Sequence, residues 1–286
     1  MRISVLGGDE RSVKLANLLQ EDGNHIDLFG FDNLKVDGLK ISENLDLAIE
    51  KSNIVIGPLP CSKDNILLNT PLYSKEIKIE EIFNKMNSNQ VFIGGKISNE
   101  ISNIAKHYNI DTVDFLKREE MAVLNAIPTA EGAIQVAMEK MEITIHGSNI
   151  MILGFGRIGK ILAKMLQGIG ANVYIEARNY SDLAWVSTYG YNPIHLSEMK
   201  DYLQEMNVVF NTIPSMILNE EMLLKLNKEC LVVDLASIPG GVDFKRAEEL
   251  GINTVWALGL PGKVAPMTAA RIMKDTIYNI IGELGE

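Results

Sequence analysis

Two series of short apolar runs, separated by amphipathic stretches, set the plan of the chain. In the first half, runs at residues 2–6, 25–29, 54–57, 90–93 and 110–113 read as buried strands, with helical patterns at 9–21 and 99–107. Residues 2–29 therefore form a βαβ unit. A cleaner series follows at 149–153, 172–176, 208–211, 231–234 and 254–257. Strands that alternate with helices predict parallel sheets covered on both faces, so the expected class is α/β with two doubly wound domains. Residues 35–46 and 61–78 are polar and patternless, and read as loops or weak edge structure.

Residues 118–141 are helical in pattern. Pro128 is expected to break or kink that run, leaving Thr129 to cap a fresh helix with Glu131 in its first turn. The last helix, 265–284, has no strand after it and is expected to pack back on the first half. The expected domains are residues 1–117 plus 266–286, for substrate or partner, and residues 118–265, for a dinucleotide.

The chain has 286 residues, 47% hydrophobic and 22% charged, enough for two full cores. Its formal charge of −10 argues against a sequence-independent nucleic-acid binder, so an anionic ligand must meet a local basic pocket. Cys61 and Cys230 stand alone, without metal-ligand spacing, and read as buried thiols. No apolar run reaches bilayer length, and the N-terminus reads as a strand rather than a signal peptide. The expectation is a cytoplasmic protein with no metal and no membrane contact.

The strongest chemical signal is Gly154-Phe155-Gly156-Arg157-Ile158-Gly159. A GxGxxG alone is weak, but this one follows the apolar run Ile150-Met151-Ile152-Leu153 and opens an amphipathic helix. Gly154 permits the tight turn, Gly156 lets backbone approach a pyrophosphate, and Gly159 lets helix and strand pack closely. A phosphate would sit on free N–H groups at the helix N-terminus. A glycine-rich turn without ligand is the competing reading. Cofactor choice is read after the next strand, where Ala177 occupies the place of the ribose-binding acid and Arg178 and Asn179 follow. That favours the 2′-phosphate of NADP over NAD. Glu176 complicates the reading, since a register slip of one would put a carboxylate at the ribose. The turn Gly7-Gly8-Asp9 also opens a helix; Asp9 is either its cap or, with Arg11, part of a substrate cleft.

Several unusual strings coincide: Gly7-Gly8-Asp9-Glu10-Arg11, Ile127-Pro128-Thr129-Ala130-Glu131-Gly132, Ile143-Thr144-Ile145-His146-Gly147-Ser148 and Asn211-Thr212-Ile213-Pro214-Ser215-Met216-Ile217-Leu218. To these add Asp234-Leu235-Ala236-Ser237-Ile238-Pro239-Gly240-Gly241-Val242-Asp243-Phe244 and Gly259-Leu260-Pro261-Gly262-Lys263-Val264-Ala265-Pro266. Together they resemble the dipicolinate synthase A-subunit family over essentially the whole chain. The resemblance implies two Rossmann-like domains joined by crossing helices, as in formate/glycerate dehydrogenases. It implies NADP-linked oxidation of dihydrodipicolinate to dipicolinate in the mother cell of a spore-forming bacterium. A flavoprotein-like B subunit is the implied partner, and a homo-oligomer is expected. Glu176 departs from the small residue expected there.

Such a reaction needs a hydride acceptor, loss of one proton and groups that hold two carboxylates. Candidates are Arg11, Lys96 and Lys263, with Thr129, Ser215, Asn211 and Ser237. Asn211, Thr212, Ile213 and Pro214 end a strand at the carboxyl edge, where open α/β sheets bind ligands, and are assigned to the cofactor. Asp234 is equally readable as a buried cap. The histidines, His25, His107, His146 and His195, are expected at strand starts, a helix end and loops, so none is an obvious base. A 2-hydroxyacid dehydrogenase would need an arginine and a histidine where Ala236-Ser237 and Gly262-Lys263 stand. A non-catalytic NADP sensor or scaffold stays open.

Overall fold

The computed structural model describes residues 1–32 and 38–285 and separates into two compact units, Met1–Leu124 with Ala265–Glu286, and Asn125–Val264. Residues 35–37 of the polar stretch 35–46 lie outside the described residues, as does Glu286.

The first unit carries six parallel strands: β1 (Arg2–Leu6), β2 (His25–Phe29), β3 (Lys40–Ile41), β4 (Ile54–Ile56), β5 (Val91–Gly94) and β6 (Asp111–Asp114). The second carries β7 (Asn149–Leu153), β8 (Asn172–Ala177), β9 (Asn192–His195), β10 (Val208–Asn211), β11 (Leu231–Asp234) and β12 (Asn253–Trp256). The orders are β3-β2-β1-β4-β5-β6 and β12-β11-β10-β7-β8-β9, with every pair parallel. Both sheets are thus doubly wound with the same topology, and the strand order reverses beside β1 and beside β7. Each sheet is buried on both faces, which explains the continuous apolar runs of its central strands.

The two strands without an apolar run, β3 and β9, are edge strands. An edge needs burial on fewer sides, and β9 even tolerates Pro193 in its ladder. In the first unit, the last helix (Pro266–Leu284) packs on Glu10–Glu21. Tyr278 donates to Asp22, and Asn24 and Lys274 tie the same corner.

One expectation fails. Residues Glu119–Lys140 form one helix that runs through Pro128. Thr129 does not cap a new helix; its hydroxyl donates to the Asn125 carbonyl one turn back. A proline removes only one ladder donor, and the packing of Ala126, Ala130, Ala133 and Ala137, all buried, holds the continuous path.

Candidate functional site: the carboxyl edge of the second sheet

β7 ends in Gly154, whose φ of +92° suits glycine and whose N–H donates to the main-chain carbonyl of Glu176 at 3.0 Å. At Gly159 a Cβ would stand 2.2 Å from the Gly154 carbonyl oxygen, so the helix Arg157–Ile169 meets the turn backbone to backbone. Gly156 is the N-cap of that helix, offers no side-chain cap, and has nothing within 4 Å of its Cβ direction. The helix N-terminus, with its partial positive charge, therefore meets open space at the switch point of the sheet. Arg157 is exposed and Ile158 half-buried beside it. This is a cradle of the shape and polarity that a pyrophosphate needs.

The adjacent strand ends are held by a buried polar network. Asn211 and Asp234 are fully buried, and the Asn211 amide donates to Asp234 at 2.8 Å and to the Ile213 carbonyl at 3.0 Å. Asn211 Oδ1 accepts from Ile213 N–H, while Asp234 accepts from the N–H groups of Ala236 and Gly241. Thr212 donates its hydroxyl to the Leu153 carbonyl and lies against Gly154. The side chains of Asn211 and Thr212 thus shape the loops, and Asp234 serves as their buried anchor. The residues they present outward are Pro214, Ser215 and Ser237, all exposed.

The other rim is made by β8 and β9. Register puts Glu176 opposite Leu153 and Ile194, inside the sheet, and Ala177 opposite His195. Arg178 and Asn179 leave the strand exposed, and Asn179 opens the helix Tyr180–Thr188. His195 corrects the sequence reading: it ends β9 at the carboxyl edge and stacks on Tyr180, ring centroids 5.1 Å apart. Its place escapes a reading of the sequence because β9, an edge strand of sequence Asn-Pro-Ile-His, carries no strand signal. Both Glu176 oxygens are buried without a partner. Burial pushes its carboxyl above the usual glutamate range, against the weaker pull of the Gly154 amide, Arg178 and His195.

The remaining candidates are divided between the two units. Arg11 is bound through Nε and a terminal nitrogen to Asp9 and also donates to the Leu59 carbonyl; Asp9 caps Glu10–Glu21. An anion at Arg11 would compete with Asp9. Lys96 is exposed in the first unit, with φ of +59°. In the second, Thr129 is half-buried mid-helix and Lys263 is exposed in the short helix Leu260–Val264. Cys61 and Cys230 are buried and free, their thiols pushed up to about 12, which makes them poor nucleophiles. Among the described residues, no cluster of His, Cys, Asp or Glu is arranged to hold a metal, and no helix is long and apolar enough to cross a membrane.

Residues 2–116 match the family model of the N-terminal domain of the dipicolinate synthase A-subunit, and residues 135–255 match that of shikimate / quinate 5-dehydrogenase. The dipicolinate synthase A-subunit of Bacillus subtilis is 34% identical over 99% of this chain and 97% of its own. The chain belongs to the dipicolinate synthase A-subunit family. The crystal structure of the B. subtilis A-subunit superposes with a TM-score of 0.90 at 34% identity, covering 100% of this chain and 97% of that one. The A-subunit structure from Bacillus halodurans gives 0.89 at 32%, covering 98% and 97%. A transhydrogenase of Sinorhizobium meliloti shares the fold at 14% identity, with a TM-score of 0.72 over 99% of this chain and 94% of that one. The two A-subunit structures thus share the fold of this chain.

Two outcomes check the site. Gly159→Ala forces the turn apart and is expected to cost about 2 kcal/mol or more of stability. Gly156→Ala is expected to cost no more than about 1 kcal/mol as a cap change, yet weaken dinucleotide binding about tenfold by filling the phosphate approach. Urea titration and binding measurements on both variants separate the two roles. Glu176 supplies a pH test. Its folded-state value is raised, so its contribution to stability is greatest below roughly pH 4.3 and is lost as pH climbs to the folded-state value. Glu176→Gln should therefore gain on wild type as pH rises from roughly 4.3 to the folded-state value, and keep that gain above it; a difference independent of pH would contradict the burial argument.

Proposed function

We propose that the chain is an NADP-dependent oxidoreductase that converts dihydrodipicolinate to dipicolinate, acting with a flavoprotein-like B subunit in the cytoplasm of a spore-forming bacterium. The observation that carries the cofactor reading is the cradle at Gly154, Gly156 and Gly159, where an uncapped helix N-terminus meets open space. Membership of the A-subunit family carries the substrate reading, and kinship with one subunit of a synthase supports a partner.

The residues fit a dinucleotide. The turn N–H groups would hold the pyrophosphate, with Arg157 and Ile158 beside it, and Thr212, Ile213 and Pro214 would line the edge. Arg178 and Asn179, exposed at the end of β8, would take the 2′-phosphate, with a charge-assisted fork from the arginine. A bound nicotinamide supplies the hydride acceptor. The dihydropyridine then loses one hydride and one proton and becomes aromatic, giving dipicolinate, NADPH and H⁺. Within the second unit, Ser215 and Ser237 are proposed to donate to substrate carboxylates, with Lys263 and Thr129 as further anion-holding groups; Arg11 is proposed as an anion-holding group of the first unit, in competition with Asp9. The first unit is proposed to contribute substrate or partner contacts.

The test mixes the purified chain, with and without the B subunit, with dihydrodipicolinate and NADP, following NADPH and the aromatic product. Formation of both supports the proposal; tight NADP binding without turnover under either condition would point to a sensor or scaffold instead. Arg178→Ala should weaken NADP binding roughly tenfold to a hundredfold, the loss of a charge-assisted pair, with little effect on NAD. Equal losses for both cofactors would refute the 2′-phosphate assignment.

A further inference from the structure

Glu176 is the one carboxylic acid among the described residues with both oxygens buried and unpaired. It is 0% exposed, in β8, with aliphatic Leu153 of β7 and Ile194 of β9 on either side. An apolar residue would pack at this position without the cost of an unpaired polar group. The acid sits two residues before Arg178, at the strand end where the 2′ position of a dinucleotide is read. Among the described residues, the charged and titratable groups that act on it are Arg178 from its own strand end and His195 from β9. β7 offers Leu153, and the glycine turn offers the Gly154 amide, whose hydrogen bond goes to the Glu176 main-chain carbonyl.

We propose that Glu176 makes the choice between phosphorylated and unphosphorylated dinucleotide depend on pH. Neutral, it leaves the charge of Arg178 free to hold a 2′-phosphate. Ionised, it offsets Arg178 and repels the phosphate through a poorly screened layer, so the unphosphorylated cofactor gains in relative affinity. The proposal rests on the dinucleotide reading and adds to it a specificity residue that never touches solvent. Its effect is opposite in sign to that of the 2′-phosphate itself, which gains charge as pH rises through about 6 and should by itself favour Arg178. The two effects are therefore separable.

The experiment measures dissociation constants of NADP and NAD for the apoprotein by fluorescence titration across the pH range in which it stays folded. For wild type, the preference for NADP should fall about tenfold as pH rises, the scale of one unit charge acting over roughly 12 Å at an effective dielectric constant near 20. Glu176→Gln should keep its preference flat or rising. His195→Asn should retain the wild-type fall, which excludes histidine as the titrating group. The infrared spectrum of the apoprotein at the acid end of that range should hold a protonated carboxylic-acid band that persists to higher pH than those of exposed carboxyls and that Glu176→Gln removes. Parallel profiles for wild type and Glu176→Gln, loss of the fall in His195→Asn, or absence of the band would overturn the proposal. Failure of either dinucleotide to bind at any pH would overturn the cofactor reading along with it, whereas binding of both with a constant ratio would remove only this inference.

Discussion

The backbone contact between Gly154 and Gly159 is the constraint around which the second sheet is organised. A helix can start immediately after β7 only if its first turn passes within van der Waals contact of the strand end, and a Cβ at Gly159 would stand 2.2 Å from the Gly154 oxygen. That proximity aims the free N–H groups of the helix at the carboxyl edge of the sheet. Strand order then does the rest: β10 and β8 flank β7 on opposite sides, so the residues after each of them border the same turn. The chemistry proposed for the chain depends on this juxtaposition more than on any single reactive side chain.

The polar groups at the edge divide into those consumed by the fold and those left over. Asn211 and Asp234 look reactive in sequence but are fully buried and hydrogen-bonded to each other and to loop amides. They tie down the first residues of the loops that carry Ser215 and Ser237. Arg11 is likewise engaged by Asp9. Glu176 is the exception, a buried acid that the fold leaves without a partner. Unsatisfied groups of this kind are costly, and in proteins generally they concentrate at functional sites.

Much of this was legible in the chain. Central strands of a parallel sheet are buried on both faces, so β1, β4, β5, β7, β8, β10 and β11 announce themselves as apolar runs. The glycine turn, with its strand before and helix after, marks the candidate site, and Arg178 and Asn179 follow by counting. The edge strands β3 and β9 were not legible, because an edge strand can be short and polar, and Pro193 argues against any strand. With β9 went His195, whose place at the carboxyl edge depends on that strand. Thr129 misled for the opposite reason: local propensity at Pro128 predicted a break or kink with a fresh helix capped by Thr129, and the helix instead continues along a row of buried alanines.

The sequence by itself determined the class of fold, the position of the glycine turn and the family, since these rest on periodicity and on strings of adjacent residues. Only the tertiary structure decided which polar residues remain available. Hydrogen-bond partners such as Asn211 and Asp234 lie 23 positions apart and meet only when β10 and β11 pair. Register likewise decided that Glu176 faces the apolar layer between Leu153 and Ile194 while Arg178 faces solvent. A two-residue separation along the chain thus becomes the difference between a buried acid and an exposed cation, because side chains take their surroundings from the strands beside them.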